Sequence, residues 1–431
     1  MALLDDIRKT IRYAGRNGLT DTYYAAKERL RARVGASYTY EAPALDVLEK
    51  QKNFYIQAPA GTLPLISILV PLYNPKEPFL KEMLESVLSQ TCGNFEVILA
   101  DGSPDASAGV IIESYADKRL HYHRLDRNGG ISYNTNLAAE FAAGDYVALL
   151  DYDDLLTPDA IYEVTQKILS CSPEIIYSDE DKCDAAAQKY FEPHFKPDFN
   201  RDYLLTNNYI CHFLVMRAAL FSALRLRSEY DGAQDYDLML RAPWSGVCHI
   251  PRVLYHWRTH SLSTAGNPGS KDYAYENGKR ALEEYFRACH IEARVEHSRH
   301  RGFYHVTYEP DIFTAREDVG VVGGKVINHR KHIIGGMMEE DGTVLFEGMH
   351  VMESGYMHRA DTVQDAAAVD VRCMQIRPEL RPLYQSVFDS SYDEHIMRGE
   401  DGLKMKSLDF CRQARQMGYL IVFDPDMVME V

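Results

Sequence analysis

The eight cysteines, Cys92, Cys171, Cys183, Cys211, Cys248, Cys289, Cys373 and Cys411, form no CxxC pair and show no metal-ligand spacing. That absence excludes the common zinc and redox motifs and fits reduced thiols in a cytosol. A long apolar run is also missing. The best candidate, "LPLISILVPLY", is broken by prolines and too short to span a bilayer. The opening "MALLDDIRKT" has acids where a secretory leader needs a basic flank and an apolar core. The expectation is a cytoplasmic protein, with peripheral association at the cytoplasmic face of the inner membrane as its nearest approach to a bilayer. Positive charge is short as well: 47 Lys and Arg face 63 Asp and Glu, a net charge of -16. No general field attracts phosphate backbones, so nucleic acid is not an expected partner and any anionic ligand needs a local device. What the chain does have is size. Its 431 residues, 46% hydrophobic and 26% charged, can bury a sizeable core in two domains or one large one with additions.

Residues 1–62 read as a helical N-terminal extension. "LLDDIRKTIRYAGRNG" and "TDTYYAAKERLRARV" carry apolar residues at helical spacing, with Gly15 and Gly18 between them. Arg8, Lys9, Arg12, Arg16, Lys27, Arg29, Arg31 and Arg33 make this stretch basic, as a membrane-docking helix would be. The interleaved acids and aromatics favour an ordinary solvated face. From Leu65 strands and helices alternate: "LISILV", "FEVILA", "RLHYHRL" and "DYVALL" as strands, with "EPFLKEMLESVLSQ", "SAGVIIESYA" and "GISYNTNLAAEFAAG" as helices. This rhythm predicts an α/β fold, a Rossmann-like, mostly parallel sheet with helices on both faces. Ligands of such sheets bind at the carboxyl ends of the strands. There the chain places four polar or glycine-containing loops: "PLYN", "DGSPD", "RNGG" and "DYDD".

The last of these raises a physical problem, because three carboxylates stand together after an apolar strand. Asp151 and Asp153, two residues apart, share a face. Their repulsion disappears if a divalent cation lies between them and an anionic ligand, and oxygen-only ligation suits Mn2+ or Mg2+. Asp154 reads as a helix-capping residue beside "TPDA", where Thr157 is the expected N-cap and Pro158 the first helical position.

Five segments in order, "ISILVPLYN", "SVLSQTCGNFEVILADGS", "NGGISYNTN", "AAGDYVALLDYDDLLTPDAIYEV" and "GAQDYDLMLR", resemble glycosyltransferase family 2, inverting enzymes with a GT-A fold. "IIYSDEDK", "FKPDFNRDYLLTNNYICH" and "VLYHWRTHSLSTA" are similar to the rhamnosyltransferase-like branch that builds bacterial surface polysaccharides. The resemblance implies a GT-A domain over 63–300 that transfers a hexosyl or deoxyhexosyl unit from a nucleoside diphosphate donor to a glycan or lipid-linked glycan. It implies that Pro71, Tyr73, Asn74 and Asp101 line the base and ribose pocket, and that Asn128, Gly129 and Gly130 form the loop near nucleotide and sugar. Asp151 and Asp153 then grip metal and diphosphate, His256 and His260 complete the metal shell, and Arg258 meets the diphosphate. Asp235 is the implied general base, with Gln234 where relatives carry Glu, while Asp237 supports the site structurally. Asp179, Glu180 and Asp181 of "SDEDK" fall in an acceptor-side or sugar-side loop or a solvated turn, and the histidines of "HSRH" and "HRKH" read as surface residues.

Residues 301–431 resemble the acceptor-side half of a second such module, without a second "PLYN" or DxD and with Lys406 and Ser407 where the base motif belongs. This segment is expected to be a degenerate domain that packs, shapes an acceptor groove or mediates self-association. The rival readings are a non-catalytic nucleotide-sugar-binding scaffold and a nucleotidyltransferase. The latter usually has a glycine-rich basic loop after the first strand, which "PLYNPKEP" is not.

Overall fold

The computed structural model describes residues 2–34, 38–260, 272–392 and 402–431. The chain divides into two compact units, one of residues 38–199 and 209–285 and one of residues 1–37, 200–208 and 286–431. They are called here the large-sheet unit and the C-terminal unit.

The large-sheet unit contains β1 (Ile66–Leu72), β2 (Phe95–Asp101), β3 (Leu120–Arg124), β4 (Tyr146–Leu149), β5 (Leu155–Leu156), β6 (Ile175–Cys183), β7 (Tyr190–His194), β8 (Leu214–Arg217) and β9 (Val247–Arg258). They lie in the order β3-β2-β1-β4-β8-β6-β9-β5, with β7 on β6. Strands β1 to β4 run parallel, β8 is antiparallel to β4 and β6, and β9 returns parallel to β6. The almost unbroken apolar run of β1 reflects cover on both faces. Ile66, Ile68, Val70 and Leu72 share one core with Leu80, Met83, Leu84 and Val87 of the helix Glu77–Leu88. Pro78 fits the first turn of that helix, where a missing N–H breaks no hydrogen bond. Parallel neighbours need helical crossovers that carry the chain back to the same end. Strands β1, β2, β3 and β4 therefore all finish at one edge, and the four polar loops named above leave from it.

Two expectations about these elements need correction. The helix after the aspartates spans Ala160–Cys171, with Asp159 rather than Thr157 as its N-cap. The Thr157 hydroxyl donates to Asp159 Oδ1 at 2.9 Å, and the Ala160 N–H closes a turn onto the Thr157 carbonyl, so residues 157–159 precede the helix. "SDEDK" is not a loop or solvated turn. It is the second half of β6, paired with β7 on one side and β9 on the other, and its acids are buried.

The C-terminal unit contains the hairpin β10 (Ala293–His297) and β11 (Tyr304–Tyr308), followed by β12 (Val319–Ile327), β13 (Ile333–Gly335), β14 (Met337–Met338), β15 (Gln364–Asp365), β16 (Ala368–Val369), β17 (Met374–Ile376) and β18 (Leu420–Glu430). The order β13-β12-β18-β15, with β17 on β12, is built around the parallel pair β12 and β18. The helix Ala2–Val34 belongs to this unit and breaks at Gly18 (φ 83°). Glu28 accepts from the Ser354 hydroxyl at 3.0 Å and the Gly355 N–H at 2.7 Å, Lys27 pairs with Glu353 at 2.8 Å, and Tyr24 stacks on His350. One face of this basic helix is thus spent on packing within its own unit. His300 of "HSRH", expected at the surface, is buried, because its Nε2 bonds Asp361 (2.8 Å) and its ring stacks on His358. Among the described residues no helix is long and apolar enough to cross a membrane.

Candidate active site

The loops after β1, β2 and β3 enclose a cleft of about 500 Å³ walled by Tyr73, Ser103, Arg124, Arg127 and Asn128 among others. They are tied together locally. The Asn74 N–H (φ 46°) donates to Ser103 Oγ at 2.8 Å, and Arg124 donates to the carbonyls of Ser103 and Pro104. Asp101, at the end of β2, is fully buried. Its Oδ1 accepts from the Ser103 N–H and hydroxyl, and its Oδ2 from the Tyr122 hydroxyl at 2.8 Å. Burial and the Asp101 carboxylate push the Tyr122 phenol up to about 12. Pro71 is half-buried in β1, and Tyr73 is half exposed toward the cleft. In a strongly acidic chain, Arg124 and Arg127 give this edge the local cationic device that an anionic ligand requires.

Asn128 Oδ1 accepts from the Gly130 N–H (3.1 Å) and from Asn134 Nδ2, and the Gly129 N–H donates to Asn134 Oδ1, so the loop is locked before any ligand arrives. Gly130 (φ 94°) is the N-cap of the helix Ile131–Phe141 and offers no side chain to its free N–H groups. Asp231 supplies one from elsewhere: its Oδ1 accepts from the Ser132 hydroxyl (2.5 Å) and N–H (3.3 Å). A Cβ at Gly130 would stand 2.4 Å from the other Asp231 oxygen, so glycine is required both by backbone conformation and by space. Asp231 was not legible in the sequence, since its partner lies 99 residues away.

Beyond β4, oxygens of Asp151, Asp153 and Asp154 lie within 4.8 Å of one another. They do not play equal parts. Asp154 is buried and turned inward, accepting from the Tyr255 hydroxyl at 2.5 Å and the Arg258 N–H at 2.7 Å. Burial first, then Asp153 and Asp151, push its carboxyl well above the usual range. Asp153 Oδ2 meets His260 Nε2 at 2.8 Å. His256 is not brought to this group: its Nδ1 bonds Asp181 at 2.5 Å, and its ring packs against Tyr40 and Tyr190. Arg258 is fully buried, donating to the carbonyls of Asp153 and Ala185 and pairing with Glu82 at 2.6 Å. It braces the aspartate turn from within. The two carboxylates are hard oxygen donors of the kind that suits Mn2+ or Mg2+, and one imidazole stands beside them as a borderline donor.

Asp235 occupies the first turn of the helix Gln234–Arg241, half-buried, and Cys211 lies beside it. The Cys211 thiol is pushed far up by burial and by that carboxylate. Asp237 is buried between Arg227 (Nε, 3.1 Å) and Arg241 (2.8 Å), which hold the helix in place. His212 follows Cys211 and was missed as a site residue. Its Nδ1 lies 3.1 Å from Glu180 and its ring stacks on Tyr255. Burial pushes its imidazole down, but Glu180, then Asp154 and Asp151, overcome this and raise it to about 9. Residues 211 and 212 therefore adjoin the Asp235 carboxylate on one side and the aspartate cluster on the other. The signal was only a histidine inside "NNYICHF", which by itself reads as structural. Behind it the acids of β6 each meet a partner: Asp179 meets His249 (2.9 Å), Glu180 meets Lys196, His194 and His212, and Asp181 meets His256.

Residues 67–225 match the family model described as Glycosyl transferase family 2. The uncharacterized protein y4gI of Sinorhizobium fredii is 44% identical over 232 residues, 52% of this chain and 25% of that protein. The O-antigen biosynthesis protein RfbC of Myxococcus xanthus is 36% identical over 230 residues, 52% of this chain and 18% of that protein. A chondroitin synthase of Escherichia coli is 30% identical over 223 residues, 50% of this chain and 32% of that protein. The matched part thus spans a third or less of each of these relatives.

Proposed function

We propose, on the premise of the match of residues 67–225 to glycosyl transferase family 2, that the protein is an inverting glycosyltransferase acting on a bacterial cell-surface glycan. Its similarity to an O-antigen biosynthesis protein and a chondroitin synthase supports a polysaccharide acceptor. The observation that carries the proposal is the convergence, at one edge of the sheet, of a cleft of about 500 Å³ with two arginines and the aspartate cluster. The base and ribose of a nucleoside diphosphate sugar occupy that cleft against Tyr73, Asn74 and the Asp101–Ser103 turn. The backbone at Gly129 and Gly130 admits the sugar-diphosphate closely.

Asp151, Asp153 and His260 would hold the divalent cation, which when bound offsets charge on the departing diphosphate. Asp235 takes the proton of an acceptor hydroxyl as its oxygen bonds to the anomeric carbon from the side opposite the leaving group. The bond from that carbon to the diphosphate breaks, and the configuration inverts. Arg258 serves as a brace for the turn, and His212 keeps cationic charge near Asp151. Residues 301–431 are proposed as a degenerate acceptor-half domain without a nucleotide site, a reading supported by strand order (see Discussion).

Calorimetry with uridine, deoxythymidine and guanosine diphosphates, each with Mn2+, Mg2+ or chelator, tests the site. One nucleotide class should bind in a metal-dependent way, and Asp153→Ala should lose at least about tenfold in affinity, the scale of one removed metal partner. Binding that is equal with metal and with chelator, or unchanged in Asp153→Ala, would remove the aspartates from the site. No binding at all would count against the transferase and the nucleotide-sugar-binding scaffold alike.

A further inference from the structure

Two cysteines that play no part in the site face one another at the opposite end of the same elements. Cys171 is the last residue of the helix Ala160–Cys171 and is exposed, and Cys248, the second residue of β9, is half-buried. Their Sγ atoms are 3.5 Å apart. The framework explains the meeting. Ser172 adopts the left-handed conformation (φ 45°) that ends the helix, the chain enters β6 at Ile175, and β6 pairs parallel with β9 so that Ile176 stands opposite Cys248. A disulfide needs sulfurs about 2.05 Å apart. Closing the remaining gap takes rotation of an exposed side chain at a helix terminus, where neighbours resist least.

We propose that Cys171 and Cys248 are a dithiol modification site that closes to an intrachain disulfide when the protein meets a small-molecule disulfide such as glutathione disulfide. The Cys171 thiolate attacks one sulfur of the oxidant, whose S–S bond breaks and releases one glutathione thiolate, which takes up a proton. Cys248 gives its proton to solvent and attacks the Cys171 sulfur, expelling the second glutathione. The protein dithiol is oxidised by two electrons and the oxidant is reduced to two thiols. Burial, then Cys171 itself, pushes the Cys248 thiol up, so the exposed partner is the one that attacks first. The new bond ties the helix that follows Asp154 to the strand that leads into His260.

The test uses the reduced full-length protein, treated with glutathione disulfide and digested without reductant for mass spectrometry. The expected product is a Cys171–Cys248 crosslinked peptide lighter than its separate parts by two hydrogens, reversed by dithiothreitol. The thermal midpoint should rise with it, because the crosslink restrains the unfolded chain. Cys171→Ser and Cys248→Ser should each abolish both signals, while the exposed Cys289 takes up glutathione without crosslinking. Glutathione retained on Cys171 beside a free Cys248, a crosslink between two chains on a non-reducing gel, or two unmodified thiols would each overturn the proposal.

Discussion

In the large-sheet unit β6 pairs with β7, lies antiparallel to β8 and parallel to β9, and the helix Gln234–Arg241 leads into β9. In the C-terminal unit β12 pairs with β13, lies antiparallel to β17 and parallel to β18, and the helix Leu403–Gln416 leads into β18. The strand pattern is the same, but the charges are not. On β6 stand Asp179, Glu180 and Asp181, and the helix before β9 opens with Asp235 and Asp237. On β12 stands Lys325, and the helix before β18 opens with Lys404 and Lys406. Lys325 is buried, and desolvation pushes its ammonium down. Backbone pairing follows apolar spacing and survives such an exchange, whereas chemistry follows the charges and does not. The units also differ in how carboxylates are paired. In the C-terminal unit Asp202 and Asp318 meet Arg316, Asp361 meets His300 and Arg299, and Asp370 meets Arg372. Asp365 departs from this, its carboxyl pushed far up by burial and then by Asp202, and burial raises Asp424 as well. In the large-sheet unit three carboxylates face each other, an arrangement that costs stability and suggests a ligand.

The largest expected break in this comparison is at the two helix starts. Asp235→Asn should lower turnover by roughly 10²–10⁴-fold, the usual worth of a general base, while calorimetry finds donor affinity nearly unchanged. Equal turnover would place the base elsewhere. Next in size is the buried pair of the C-terminal unit. Arg316→Leu strands Asp202 and should cost about 3–5 kcal/mol in urea unfolding, whereas Asp153→Ala, which relieves like-charge repulsion, should leave unfolding unchanged or shifted toward greater stability. A smaller effect is expected from pH. His212 is raised in the folded state from 6.5 to about 9. Its contribution is therefore complete below pH 6.5 and lost as pH rises through about 9. With chelator present, the thermal midpoint should fall across that window, and Glu180→Gln should flatten the slope. Smallest of all, Lys406→Ala should change neither turnover nor donor affinity. A loss of turnover in a folded Lys406→Ala variant would mean that the second helix start has a chemical role.

Much of this was legible in the residues. "LISILV", "FEVILA", "RLHYHRL" and "DYVALL" became β1 to β4, and their parallel order brought "PLYN", "DGSPD", "RNGG" and "DYDD" to one rim. "SDEDK" misled because a polar run reads as solvated, and nothing local reveals that Lys196, His194, His212, His249 and His256 arrive from other segments to partner it. His256, Arg258 and His260 could not be sorted by spacing alone. They stand two residues apart, yet in the structure one serves Asp181, one the aspartate turn and one Asp153.

The sequence by itself determined the strand and helix rhythm, the end of the sheet at which polar loops gather, and the placing of three carboxylates together after one strand. These follow from short-range rules: periodicity, crossover handedness and the repulsion of neighbouring charges. Tertiary structure alone decided which partner each charge would meet. It put Asp231 on the helix start at Gly130, His212 between Glu180 and the aspartates, and Cys248 against Cys171. Such pairings join residues about 30 to 100 positions apart, and burial sets their strength by excluding the water that would otherwise screen them.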